Sequence, residues 1–335
     1  MTAQLRYLVL GGTAWLGGAV AARALAEGHD VTCLARGKSG DVPPGTTFVR
    51  GDRWEADGYD GVADQDWDVV VDVSREPHQV RSALTALAPR TRHWVYVSTI
   101  SVYAEHSEPG ADESAALLPA WTGTGSAPPS AYGEAKVSCE TACRDHLADA
   151  RLTVARAGLI VGYGDPSDRF GYWPSRFALG TDGDRILVPP LECPVQFVDV
   201  RDLASWLVDA GARQTAGVFD ATGPRRRFAD VASACASAAA TAPDLVDPGE
   251  PWLRAQGVAP WSGPDSLPLW VPSEDAGQNA RSTRAVQAAG LTTRPLSETV
   301  EDALRWESEL GFARERRAGL SPARESELIA ALTGA

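Results

Sequence analysis

The stretch Val9-Leu10-Gly11-Gly12-Thr13-Ala14-Trp15-Leu16-Gly17 decides how this chain is read. A short apolar run, Tyr7–Leu10, leads into it, and a helical pattern, Leu16–Glu27, follows. A glycine turn between a strand and a helix brings backbone amides and the positive end of the helix dipole to one point, where a pyrophosphate is welcome. Gly11 permits the tight turn and Gly17 lets the helix pack closely on the strand; Ala14 stands where the middle glycine of the usual spacing sits. Thr13, Trp15 and Leu16 complete the turn. The stretch predicts a site for a nicotinamide dinucleotide.

Working outward, apolar runs recur at Val31–Ala35, Thr47–Arg50, Val69–Val73, Trp94–Ser98 and Thr153–Ala157. Helical patterns, including Gln79–Ala88 and Ala131–Leu147, lie between most of them. Strands apolar throughout, alternating with helices, predict a parallel sheet covered on both faces, hence a doubly wound α/β Rossmann fold. After Gly162 the chain becomes rich in Gly, Pro, Trp and Asp. Val195–Val200 reads as a further strand, Arg201–Ala210 as a helix and Val218–Ala221 as a short strand. The expected division is a dinucleotide-binding domain of residues 1–165, to which 195–222 return. A smaller, discontinuous substrate domain is expected from 166–194 and 223–335.

Two groups of residues carry chemistry. The second strand ends Ala35-Arg36-Gly37-Lys38, with no acidic residue to meet ribose hydroxyls. Arg36 can bond a 2′-phosphate and Lys38 adds charge, so NADP is expected, with NAD the alternative. Asp52, with Arg53 beside it, is placed to meet the adenine edge or else stands in an exposed turn. Tyr132 and Lys136 are four residues apart, one helical turn, on one face. An ammonium beside a phenol favours the phenolate, which makes a general acid/base. With seven tyrosines and two lysines in 335 residues, roughly 0.04 such pairs arise by chance. Upstream, Ser98, Thr99 and Ser101 compete to hold a reacting oxygen at the end of the fifth strand. Backbone capping suits Ser98 and Ser101 best.

On these marks the chain resembles an extended or atypical short-chain dehydrogenase/reductase of the NAD-dependent epimerase/dehydratase family, over nearly its whole length. Gly11–Gly17, Ser98-Thr99 with Val102-Tyr103, Tyr132/Lys136, Arg156 with Gly162, and Val195–Asp202 carry the resemblance. It implies a catalytic set of Thr99, Tyr132 and Lys136. It also implies that Val73 and Ser74 line the nicotinamide ribose, and that Ala157 and Leu159 flank the nicotinamide and substrate. Ser98 joins them on the cofactor side. Sugar-nucleotide members usually carry an asparagine where this chain has Leu159, which argues against a nucleotide-sugar substrate. Related enzymes often dimerise through the Tyr/Lys helix, so a homodimer is expected.

On the substrate side, Asp168-Arg169-Phe170-Gly171-Tyr172-Trp173 offers a cation and aromatics beside the cleft. Arg169, Tyr172, Trp173, Trp121, Thr99 and Ser101 are the candidate substrate contacts, for stacking on a ring and pairing an anionic or carbonyl group. A loop anchored by aromatic packing is the alternative. Thr122–Pro129 reads as a flap or a surface loop, and Trp252, Trp261 and Trp270 as a roof or as core. The net charge of −13 argues against a nucleic-acid partner. Five cysteines without zinc spacing imply reduced thiols, no metal and a cytoplasmic setting. No apolar run is long enough for a membrane span. The expected function is an NADP(H)-dependent oxidoreductase acting on a carbonyl or secondary alcohol of a small metabolite. The alternatives are an epimerase, less so a dehydratase, cycling a tightly held cofactor, and a non-catalytic dinucleotide- or RNA-binding protein. Ile100 and Ser101 follow Thr99 where dehydratases often carry Asp-Glu, which disfavours dehydration.

Overall fold

The computed structural model describes residues 4–334. Six strands, β1 (Arg6–Leu10), β2 (Asp30–Ala35), β3 (Thr47–Arg50), β4 (Trp67–Asp72), β5 (Thr91–Thr99) and β6 (Leu152–Ala157), join Gly217–Ala221 in one seven-stranded sheet. The order is Gly217–Ala221, β6, β5, β4, β1, β2, β3, and every neighbouring pair is parallel. The chain runs outward from β1 to β3, then returns to β4 on the other side of β1. That reversal opens a crevice at the carboxyl ends of β1 and β4, where ligands bind in such sheets.

Side chains alternate across each strand, so both faces of β1 are apolar for different neighbours. Tyr7 and Val9 face α1 (Trp15–Ala26) and α5 (Val200–Ala212), packing with Val20, Ala24, Leu203 and Leu207. Leu8 and Leu10 face α2 (Pro77–Leu87) and α3 (Tyr132–His146), among Val80, Leu84, Cys139 and Cys143. The expected doubly wound sheet is what forms. All five cysteines are unpaired thiols, and among the described residues no helix is long and apolar enough to cross a membrane.

The expected strand Val195–Val200 is divided. Pro194–Val195 and Phe197–Asp199 are separate strands, and α5 begins at Val200. Gln196 interrupts them because its side-chain amide bonds the carbonyls of Gly223 and Arg281. Phe197–Asp199 pairs in parallel with β7 (Leu159–Val161), a strand the sequence reading passed over. A second apolar cluster includes Phe170, Trp173, Phe177, Phe228, Leu267, Trp270 and Val300. It gathers α4 (Tyr172–Ala178), α6 (Phe228–Ala239) and the helix Leu296–Leu310.

A buried polar network ties α3 to the sheet. Glu140 accepts from Arg156 Nε at 3.0 Å and Nη2 at 2.8 Å, and from Ser98 Oγ at 2.6 Å. Arg156 also donates to Tyr103 Oη, which donates to Asp220; Asp220 in turn accepts from Arg281. The Glu140 side chain is fully buried and Arg156 nearly so. Burial pushes the Glu140 carboxyl up, but Arg156, Ser98 and Arg144 outweigh it and hold the group below the ordinary carboxylate value.

Removing one partner of a buried pair strands the other charge. Glu140→Ala is therefore expected to lower the unfolding free energy by ~3–5 kcal/mol at neutral pH. Because the folded value lies below the unfolded one, near 4.3, this contribution is complete above that value. It fades as pH falls through the folded value. Urea unfolding of wild type and variant from pH 7 to 3 measures it; a neutral-pH loss under ~1 kcal/mol, typical of an exposed pair, contradicts the lock.

Candidate active site

At the carboxyl edge of β1 the chain turns through Gly11, at φ +97°, and Gly11 N–H bonds Leu34 O of β2. The close approaches explain the glycines. A Cβ on Gly17 meets Gly11 O at 2.2 Å, and one on Gly12 meets Cys33 Sγ at 2.4 Å. Ala14 is the N-cap of α1, and no side chain caps the helix. The amides of the first turn have no helical carbonyl to bond, so they are available to a pyrophosphate. This backbone cradle fits a dinucleotide. Trp15 ties the turn to the loop after β7, donating from Nε1 to Tyr163 O at 2.8 Å.

Two cavities adjoin along the sheet edge. The first, about 480 Å³, is lined by Gly11, Thr13, Ala14, Arg36, Lys38 and Ser74, among others. The second, about 590 Å³, is lined by Trp15, Leu16, Ser98, Thr99, Ser101, Tyr132, Lys136, Ala157 and Leu159. Ala14, Val73 and Arg75 belong to both walls, so the two form one groove. Gly17 lies beneath the groove as a packing residue. Arg36 and Lys38 are exposed, and among the described residues neither makes an ion pair.

The reactive side chains converge in the second cavity. Thr99 ends β5, and its Oγ1 accepts from Ser101 N–H and donates to Ser101 Oγ, both at 3.2 Å. Tyr132, the first residue of α3, is 39% exposed and so open to a ligand. Lys136, one turn on, is buried. Its Nζ donates to Ser74 O at 2.8 Å and Val97 O at 2.5 Å, and lies 4.5 Å from the centroid of the Tyr96 ring. Lys136 is thus fixed by the ends of β4 and β5 rather than by a direct bond to Tyr132. An ammonium has three donors, so one remains for the cavity.

Several expected contacts lie elsewhere. Asp52 does not line the groove; its carboxylate caps its own turn by accepting from Trp54 N–H at 3.2 Å. Arg53 reaches the wall, but its guanidinium is spent on Asp72 at 3.0 and 2.9 Å, on Tyr59 Oη and on Gln79 O. Buried beside a carboxylate, it serves the fold. The Ser98 hydroxyl is taken by Glu140. Tyr172 and Trp173 are buried in the second apolar cluster, and Trp173 Nε1 bonds Pro268 O at 2.9 Å. Trp121 stays outside the cavity, its indole lying over Gly123. Thr122–Pro129 runs beside the groove, where Ser126 joins the wall and Ala127 N–H bonds Glu76.

Other wall residues, Trp54, Asp165 and Gln278 among them, were missed from sequence. Trp54 lies on the first cavity, stacked on His78 with ring centroids 4.9 Å apart. Asp165, Trp261 and Gln278 join Arg169 on the second. Of the three roof-or-core tryptophans, Trp261 takes the wall while Trp270 is core. Among the described residues no group of three or more His, Cys, Asp or Glu could hold a metal ion.

Residues 78–219, which contain Thr99, Tyr132, Lys136 and Leu159, match the model of the NAD dependent epimerase/dehydratase family. The matched segment, less than half of the chain, is similar to that family. The match indicates an NAD(P)-dependent enzyme with a nicotinamide dinucleotide as its cofactor. No curated protein matches the chain in sequence. Among solved structures, the Bordetella bronchiseptica enzyme WbmH, in complex with NAD+, has a TM-score of 0.64 at 19% identity, covering 92% of this chain and 100% of that one. UDP-N-acetylglucosamine 4-epimerase from Bacillus cereus has a TM-score of 0.60 at 16% identity, covering 90% and 99%. UDP-glucose 4-epimerase from Thermus thermophilus, in complex with NAD, has a TM-score of 0.58 at 17%, covering 90% and 98%. At these identities the likeness speaks to the fold.

Gly17→Val tests the cradle. Its side chain forces the turn and α1 apart, so dinucleotide affinity is expected to fall at least tenfold, about 1.4 kcal/mol. Calorimetric titration, with circular dichroism to confirm folding, measures this; a folded variant with wild-type affinity contradicts the assigned cradle.

Proposed function

We propose that this protein is an epimerase that holds its dinucleotide tightly and inverts a hydroxyl-bearing carbon of a small metabolite. The observation that carries the reading is the meeting of Thr99, Tyr132 and Lys136 on one cavity continuous with the glycine cradle. The family match supports epimerisation better than the net oxidoreductase chemistry expected from the sequence. A dinucleotide held in the glycine cradle would supply hydride transfer to and from the substrate carbon. Tyr132 takes the proton of the substrate hydroxyl and gives it back, as a general acid/base does. Thr99 holds the reacting oxygen. Lys136, pinned by two carbonyls, places a fixed positive charge below the site, which favours negative charge on that reacting oxygen.

Arg36 and Lys38, both on the groove wall with no carboxylate at the end of β2, support NADP over NAD. Leu159 on the catalytic cavity offers no hydrogen bond to a substrate diphosphate. It supports a small metabolite over a nucleotide sugar, and it keeps net reduction of a carbonyl as the second reading. The two readings separate on cofactor retention. The epimerase keeps its dinucleotide through gel filtration and shows no net cofactor turnover; the reductase releases it and consumes NADPH.

Tyr132→Phe is expected to abolish turnover while leaving dinucleotide affinity within about twofold. Positioned acid/base groups contribute roughly 10²–10⁴-fold, so a Phe variant that keeps most of its activity refutes the assigned role. Arg36→Ala is expected to reduce the NADP-over-NAD affinity ratio at least tenfold, by titration of both. An unchanged ratio removes Arg36 from cofactor choice.

A further inference from the structure

Among the described residues Arg169 stands on the second cavity without an ionic partner. Three cations line that wall: Arg75, Lys136 and Arg169. Arg75 pairs with Glu76 at 3.2 Å, and Lys136 is bonded to two carbonyls. Among the described residues no carboxylate lies within ion-pair distance of the Arg169 guanidinium. It rests 5.0 Å over the ring of Trp261. A cation lying on an aromatic face keeps its edge N–H donors free for a planar acceptor.

The surroundings hold Arg169 in place. Asp165 Oδ1 accepts from Ser167 N–H at 2.7 Å, and Ser167 Oγ accepts from Arg169 N–H at 3.3 Å. The next residue back, Asp168, is anchored outward by Arg314 and by Arg317 N–H. Across the cavity Trp261 holds a left-handed backbone, φ +67°, fixed by its N–H to Trp270 O at 2.9 Å. Such strain in a bulky residue marks a position the surrounding structure insists on.

A second group points the same way. Asp165 is 5% exposed, lines the cavity, and among the described residues its Oδ2 has no hydrogen-bond partner. Buried unpartnered oxygens are uncommon and call for a ligand or water. Burial raises the Asp165 carboxyl above its ordinary value and draws the Arg169 guanidinium below its own, while Asp165 and Tyr132 pull the latter back up. Arg169 therefore feels both the catalytic phenol and the orphaned carboxyl.

We propose that Arg169 receives a carboxylate of the substrate and Asp165 one of its hydroxyls, so that the substrate class is a small hydroxylated carboxylic acid. The inference rests on the function proposed above and specifies the substrate of the same site. Lys136 lies against the reacting groups, which leaves Arg169, next to one carboxyl group, as the cation for a single negative charge of the substrate. A diphosphate brings more negative charge than this wall neutralises.

The test uses the dinucleotide-loaded protein and three matched probes, D-glucuronate, D-glucose 6-phosphate and D-glucose, by calorimetric titration. Wild type is expected to bind glucuronate at least tenfold more tightly than either of the others. Arg169→Gln removes that preference, Arg169→Lys restores part of it, and Asp165→Asn weakens all three probes. Dinucleotide affinity stays unchanged in Arg169→Gln. Absence of a glucuronate preference in wild type, or its survival in Arg169→Gln, overturns the inference. So does tighter binding of the phosphate probe, or a loss of dinucleotide affinity in Arg169→Gln, which assigns Arg169 to the cofactor. Wild type that binds no dinucleotide overturns the proposed function instead, so the two failures are distinguishable.

Discussion

Everything at the site depends on how α3 is fastened to the carboxyl edge of the sheet. Two side chains one turn apart make that joint. Lys136 bonds the carbonyls of Ser74 and Val97, and Glu140 grips Arg156 of β6 and Ser98 of β5. Side chains four apart on a helix share a face, so both reach the sheet together. The joint sets Tyr132 at the helix start and Thr99 at the strand end against one cavity. A hydrophobic contact could hold α3 on the sheet, but apolar packing tolerates sliding more readily than a bidentate charged pair does.

The same joint extends beyond the sheet. Arg156 bonds Tyr103, Tyr103 bonds Asp220, and Asp220 bonds Arg281. Arg281 also accounts for the neighbourhood of Gln196, whose amide interrupts the strand expected there. The buried charges thus connect the loops after β5 to the segment near residue 280, close to Gln278 on the cavity wall. The joint that places Thr99 and Tyr132 and the segment beside Gln278 share one polar framework.

Much of this was legible in the sequence because it is local. The glycine turn, the apolar strands and the Tyr132/Lys136 spacing depend on neighbours within a few residues, and β1, α1, β2 and α3 form where the patterns put them. The errors have a common physical source. Tyr172 and Trp173 look like pocket aromatics in sequence, but α4 turns them into the cluster around Phe228 and Trp270. Arg53 looks like a free cation until β4 brings Asp72 to it from 19 residues away. Trp261 was legible as roof or core, but Asp165 was not, and nothing local links the two positions on one wall. Arg169 was legible as a cation near the cleft; its lack of a partner was not.

The central claim is that one groove carries a dinucleotide from the glycine cradle to Thr99 and Tyr132. A crystal structure of the protein soaked with NADP+ tests it most directly. The account predicts the pyrophosphate on the first turn of α1, the 2′-phosphate beside Arg36, and the nicotinamide ring in the cavity with Thr99 and Tyr132. A dinucleotide seated elsewhere, or with its nicotinamide end turned away from Tyr132, contradicts it.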